Sequence, residues 1–189
     1  MKFLYAIARY YVPTFLKKRG LESIFDATAA SFGRKPPPMA KLSFNECLES
    51  YAQFAEEGVT RAIEERRNIQ EVEAALRGNA IRIGTTFREL FGVRTRRDAM
   101  GAARLLYRMI GIDFHGTSEG EITISRCAFD RFYSARTCRV MASFDEGILA
   151  GLAGEGSLVF AGRLTDGHPF CEARFEFKEP TGEESNRRR

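Results

Sequence analysis

The stretch LVFAGRLTDGHPFCEARF, residues 158–175, decides the fold because two independent signals in it define one hairpin. Asp166 and Gly167 form a favoured two-residue turn between antiparallel strands. A turn at these residues pairs small or apolar side chains on one face: Leu158 with Phe175, Phe160 with Ala173, and Gly162 with Cys171. The charged neighbours fall on the other face: Arg163, Glu172, Arg174 and Glu176. A slip of one residue would destroy this separation, so the stretch predicts a single register.

An earlier hairpin is indicated where apolar and polar residues alternate on both sides of the turn 116–120. Its apolar residues are Ile112, Phe114, Ile122 and Ile124. Its polar face has two predicted cross-strand pairs, His115 with Glu121 and Asp113 with Thr123. A carboxylate beside an imidazole suits acid–base catalysis or metal binding, and a solvated sheet face has the same composition.

Most of the remaining chain has the 3.6-residue periodicity of amphipathic helices. Ser43 and Glu46 form a capping-box pattern that predicts a helix start, and Thr95 with Asp98 predicts another. We expect a helix interrupted at Pro13, and further helices over 21–32, from Ser43 to the Gly78-Asn79 pair, over 80–91, over 96–110 and over 127–154. The sequence therefore predicts an α+β fold, in which a helical N-terminal half packs on a four-stranded antiparallel sheet made of two hairpins. The predicted organisation is a helical extension at 1–38, an α+β domain at 39–178 and a disordered basic tail at 179–189.

The composition of the chain is that of an ordinary globular protein, with 44% hydrophobic and 29% charged residues among 189. The formal net charge is +4, and Arg187, Arg188 and Arg189 account for three of these charges. Nucleic-acid binding is therefore disfavoured. No apolar run is long enough for a membrane-spanning helix, and the one near the N-terminus is too short for a secretory signal. These features predict a cytoplasmic protein with free cysteine thiols and no membrane partner.

Candidate functional side chains lie mainly in the second half of the chain. Cys127, Cys138 and Cys171 suit a nucleophilic or redox thiol, a zinc site completed by His168, or plain core packing. Asp145 suits a surface carboxylate, a partner for a substrate ammonium or a group that orients a base. Arg97, Arg104 and Arg108 share one side of a helix, where they would bind a carboxylate, bind phosphates or face solvent. Cys47 lies on an apolar helix stripe and is expected to be packed.

A family resemblance is carried by Cys127-Ala128-Phe129, Cys138, Asp145 and the segment 165–175. This set resembles the bacterial L-2-amino-thiazoline-4-carboxylic acid hydrolase family, which is similar in turn to 4-vinyl-reductase-type and TRAPP-like ligand-binding domains. Gly167, Cys171 and Phe175 resemble that family's turn-and-strand element. The chain departs from the pattern at His168, where an acidic residue is expected, and at Met141 and Ala142, where a further cysteine is common.

The resemblance implies hydrolysis of a carbon–nitrogen bond in a small cyclic amidine carboxylate. In this interpretation Cys171 or Cys138 is the thiol, His168 is the base, and Arg104 or Arg108 binds the carboxylate. Cys127 and Asp145 complete the candidate catalytic set.

The alternative is a non-enzymatic module of the 4-vinyl-reductase/TRAPP-like type, which binds a small apolar ligand or dimerises through its helical face. Neither interpretation identifies a cofactor or requires a metal ion.

Overall fold

The computed structural model describes residues 12–178, and the expectations for the N-terminal residues 1–11 and for the tail at 179–189 lie outside this range. The described chain contains five α-helices and one four-stranded antiparallel sheet, so the predicted α+β class is confirmed. The helices are α1 (Thr14–Phe32), α2 (Phe44–Glu64), α3 (Ile69–Phe91), α4 (Arg96–Met109) and α5 (Ala135–Ala153). The strands are β1 (Asp113–Gly116), β2 (Glu121–Arg126), β3 (Gly156–Gly162) and β4 (Cys171–Phe177). No helix in this described range is long and apolar enough to cross a membrane.

The predicted helix starts are confirmed where the capping chemistry is local. The Ser43 side chain accepts a hydrogen bond from the Glu46 backbone N–H, and the Glu46 carboxylate accepts one from the Ser43 N–H. Thr95 and Asp98 form the same reciprocal pair at the start of α4. Because each box satisfies two backbone donors that a helix start leaves unpaired, a few residues suffice to encode it.

Three predicted helix boundaries are wrong. The helix that starts after Ser43 ends at Glu64, and Asn68 caps a new helix that runs straight through Gly78 and Asn79. The Asn79 amide bonds across to α1, to the Ala27 carbonyl oxygen and the Ser31 hydroxyl, so a residue typical of helix ends is used here for packing. Helix α1 begins directly after Pro13 and is continuous to Phe32, so the predicted separate start at residue 21 is wrong. The segment 127–134 consists of turns, because α5 begins only after its cap at Ser134.

The strands lie in the order β1-β2-β4-β3, so the two predicted hairpins form one sheet through the pairing of β2 with β4. In the second hairpin Leu158 faces Phe175 and Phe160 faces Ala173, as predicted. The third predicted pair is wrong because an irregularity between Phe160 and Gly162 moves Gly162 opposite Glu172. The connection is also longer than two residues, since a 3₁₀ turn over Leu164–Asp166 precedes Gly167.

The register predicted for the first hairpin is wrong: it is shifted by two residues from Phe114 to Gly116, and by three at Asp113, which an irregularity places opposite Arg126 instead of Thr123. His115 faces Thr123 instead of Glu121, and Asp113 lies near the end of β2, where the Ser125 hydroxyl donates to its carboxylate at 3.0 Å. The apolar and polar faces of this hairpin are still predicted correctly. A shift of two residues leaves each side chain on the same face of the sheet.

Helix α5 is the centre of the molecule, in contact with α2, α3, α4 and the strands β3 and β4. The backbones of α5 and α3 are in direct contact. A methyl group on Gly147 or Gly151 would clash with the carbonyl oxygen of Arg77 or of Ile81, respectively, and one on Gly84 would clash with that of Ile148. These three glycines therefore fix the distance between the two helices.

Helix α1 belongs to the same core as the sheet. Leu21 and Phe25 on α1 are fully buried, and the core is continuous from them to Phe175 on β4. The helix that the sequence assigned to an N-terminal extension thus contributes to the packing of the whole domain.

Candidate functional site

A cavity with apolar walls lies between the helices and the inner face of the sheet, and the centres of water molecules could occupy about 100 Å³ of it. This is several times the space of this kind that a single water molecule needs, so a small organic ligand can enter. The helices contribute Gly20, Ile24, Tyr51, Ile83, Phe87, Leu106, Tyr107, Met109, Cys138, Met141, Phe144, Asp145 and Ile148 to its lining. The sheet and the loops contribute Ile110, Ile112, Ile124, Cys127, Phe129, Tyr133, Phe160 and Cys171.

The only carboxyl group among these lining residues belongs to Asp145. The Tyr107 hydroxyl donates to its Oδ1 atom at 2.8 Å. Burial raises the pKa of Asp145 to about 6, and the opposing effects of the Tyr107 hydrogen bond and the Arg163 charge are smaller. A carboxyl group with such a pKa exchanges a proton near neutral pH, which suits a general acid or base as well as a charged anchor.

All three candidate thiols line this cavity with Asp145. Their pKa values are raised, first by burial and also by the nearby carboxylate. Cys127 is affected most, with a pKa of about 12. Cys171 is held at the end of β4, where its sulfur accepts a hydrogen bond from the Leu164 N–H at 3.4 Å. The thiols therefore stay protonated at neutral pH, whereas an activated nucleophile has a lowered pKa.

The other candidates lie elsewhere. His168 is exposed in the loop before β4 and does not line the cavity. Arg104 and Arg108 are exposed on α4 and do not line it either. Within the described chain no three His, Cys, Asp or Glu side chains are grouped closely enough to hold a metal ion, and His168 lies away from the cavity that the three thiols line.

Arg163 is the cation that the sequence analysis missed. The pattern assigned it to the outer face with Glu172, but its guanidinium lies 4.3 Å from the ring centre of Phe160, a lining residue. Its positive charge lowers the pKa of Asp145, Cys138 and Cys171. The strand irregularity after Phe160 changes the side-chain alternation here, and nothing in the local sequence signals it.

A sequence signal for Asp145 did exist. Met141 and Ile148 lie four residues before it and three residues after it, so helical spacing places all three on one side of α5. The sequence analysis also missed Tyr107, the partner of Asp145, because its position depends on how α4 packs against α5.

The chain matches no protein-family model, no curated protein and no solved structure in the comparisons made with each.

Proposed function

We propose that this protein binds a small, largely apolar ligand in the cavity around Asp145. The observation that carries this proposal is the cavity itself, which is lined almost entirely by hydrocarbon and aromatic side chains. Core packing normally leaves few voids larger than a water molecule, so an apolar space of this size is typical of a binding site. The resemblance to 4-vinyl-reductase-type and TRAPP-like ligand-binding modules is part of the same proposal.

The direct test measures binding of N-phenyl-1-naphthylamine, an uncharged dye that fluoresces in apolar surroundings. We expect the full chain to bind it, and Ile24→Trp to weaken binding at least tenfold by filling the cavity. Leu16→Trp is the matched control, because Leu16 lies on the same helix and is exposed. Circular dichroism checks that both variants fold. Absence of dye binding by the parent chain, or equal binding by both variants, would contradict the proposal.

A second candidate is hydrolysis of a carbon–nitrogen bond in a cyclic amidine carboxylate, favoured by the shared position of three thiols and Asp145 in one cavity. In this candidate Asp145 takes the role of base that the sequence analysis gave to His168. The test is turnover of 2-amino-thiazoline-4-carboxylate by the parent chain and by Cys138→Ser, Cys171→Ser and Asp145→Asn. His168→Ala is the control and should retain activity. No turnover by the parent chain removes this candidate and leaves ligand binding untouched.

A cytoplasmic location and a homodimer formed through the helical face are part of the proposal. All four cysteines are free thiols, as is usual in a reducing compartment.

Phe15 and Leu16 expose apolar surface on α1, which suits a surface for a second copy of the chain. Sedimentation of the full chain should give a dimer that Phe15→Ser weakens, and a monomeric parent chain would contradict this part.

A further inference from the structure

The polar end of the cavity contains a carboxylate with one unused oxygen. Tyr107 donates to Oδ1 of Asp145, while Oδ2 accepts no hydrogen bond from the described residues. The carboxylate belongs to a residue that lines the cavity and is partly accessible. A ligand in the cavity can therefore reach it.

Within residues 12–178, no cation forms an ion pair with this carboxylate. Arg163 is the cation that influences it, yet the two form no ion pair within the described chain, and the guanidinium lies over the Phe160 ring instead. The other described titratable groups that interact with Asp145 are neutral at pH 7: Tyr51, Tyr107, Cys127, Tyr133, Cys138 and Cys171. An ionised carboxylate away from bulk water is costly unless a partner neutralises it.

We infer that the ligand carries a protonated nitrogen, as in an amine or amidine attached to an apolar body, and that this nitrogen pairs with Asp145. The inference rests on the proposed ligand-binding function and specifies its ligand class. A cation supplies the missing counter-charge, and its N–H groups donate to the unused Oδ2. The aromatic rings of Tyr51, Phe129 and Tyr133, which contact one another in the lining, also favour a cation. A ligand carboxylate placed directly against the Asp145 carboxylate would be repelled by it.

The test compares three probes that share one tail and differ in their head group: octylamine, 1-octanol and octanoic acid. Each displaces N-phenyl-1-naphthylamine from the full chain at pH 7.5. We expect octylamine to bind at least about tenfold tighter than 1-octanol, because its ammonium group forms charge-assisted hydrogen bonds with the carboxylate. Asp145→Asn should abolish this preference and leave 1-octanol binding unchanged.

The pH dependence in the parent chain is a second readout that needs no variant. Octylamine stays protonated throughout, so its preference over 1-octanol should fall as the pH is lowered through about 6, where Asp145 takes up a proton. Tyr107→Phe should move this fall to higher pH, because the Tyr107 hydrogen bond lowers the pKa of Asp145.

Three results would overturn the inference: equal or tighter binding of 1-octanol, preference for octanoic acid, or an amine preference that survives in Asp145→Asn or persists unchanged below pH 5. These failures are distinguishable from failure of the proposed function. If dye and 1-octanol bind without any amine preference, only the ligand class is wrong. If neither the dye nor any probe binds, the cavity is not a ligand site and both proposals are contradicted.

Discussion

Asp145 places an ionisable carboxyl group among apolar side chains, and this arrangement lowers the stability of the folded protein at neutral pH. Its pKa is about 6 in the folded chain, above that of an exposed aspartate. The folded state therefore binds the proton more tightly than the unfolded state does. The stabilisation that follows is complete below pH 4 and is lost as the pH rises through 6.

Replacement of Asp145 by Asn removes this cost. We expect Asp145→Asn to raise the free energy of unfolding by between about 1 and 3 kcal/mol at pH 8, because the asparagine needs no ionisation. At pH 4 the parent and the variant should be equally stable. Urea unfolding at both pH values measures the difference, and Asp113→Asn, at an exposed carboxylate, is the control. A loss of stability at pH 8 would contradict the prediction.

Helices and strands were predictable to the extent that their signals are local. The caps at Ser43 and Thr95 and the alternation around residue 173 encode their elements within a few residues. The break between α2 and α3 was missed because Arg66 adopts a positive φ of 54°, a conformation that glycine would have signalled. The cavity was not predictable either, since its walls come from all five helices and depend on how they pack.

The contact between α3 and α5 gives a prediction at this scale. Gly151→Ala should destabilise the protein by about 1–3 kcal/mol or more, because the added methyl group clashes with backbone atoms that cannot rotate away. Gly78→Ala in α3 is the matched control. Nothing lies within 4 Å of its added methyl group, and alanine favours a helix by about 1 kcal/mol. Thermal unfolding of both variants measures the contrast, and similar melting temperatures would count against the backbone contact.

On the scale of the whole molecule, the core joins α1 to the sheet. The sequence suggested a boundary at residue 38 because of the Pro-rich segment 36–38, but composition alone does not reveal that the preceding helix is buried. The Arg67 guanidinium also donates to the Phe32 carbonyl oxygen at 3.0 Å and so ties the end of α1 to the loop after α2. Unfolding of α1 should therefore accompany unfolding of the rest.

Substitutions on α1 test this coupling. Phe25→Ala should lower the global free energy of unfolding by about 3–5 kcal/mol, the usual cost of deleting a buried phenylalanine. Arg19→Ala on the same helix should change it by less than about 0.5 kcal/mol, since Arg19 is exposed. Far-UV circular dichroism and tyrosine fluorescence should follow one transition. Two separate transitions would instead support the predicted boundary at residue 38.

The glycine contact between α3 and α5 also determines where this protein can change shape. Asp145 and Cys138 are carried by α5, which rests directly on the neighbouring backbone, so the wall beneath any bound molecule is rigid. A bulkier ligand therefore fits only if side chains on the opposite walls are replaced by shorter ones. Met109 on α4 and Ile124 on β2 are examples of such side chains. An engineer who wishes to widen the specificity of the pocket should therefore randomise those positions and leave Gly84, Gly147 and Gly151 alone.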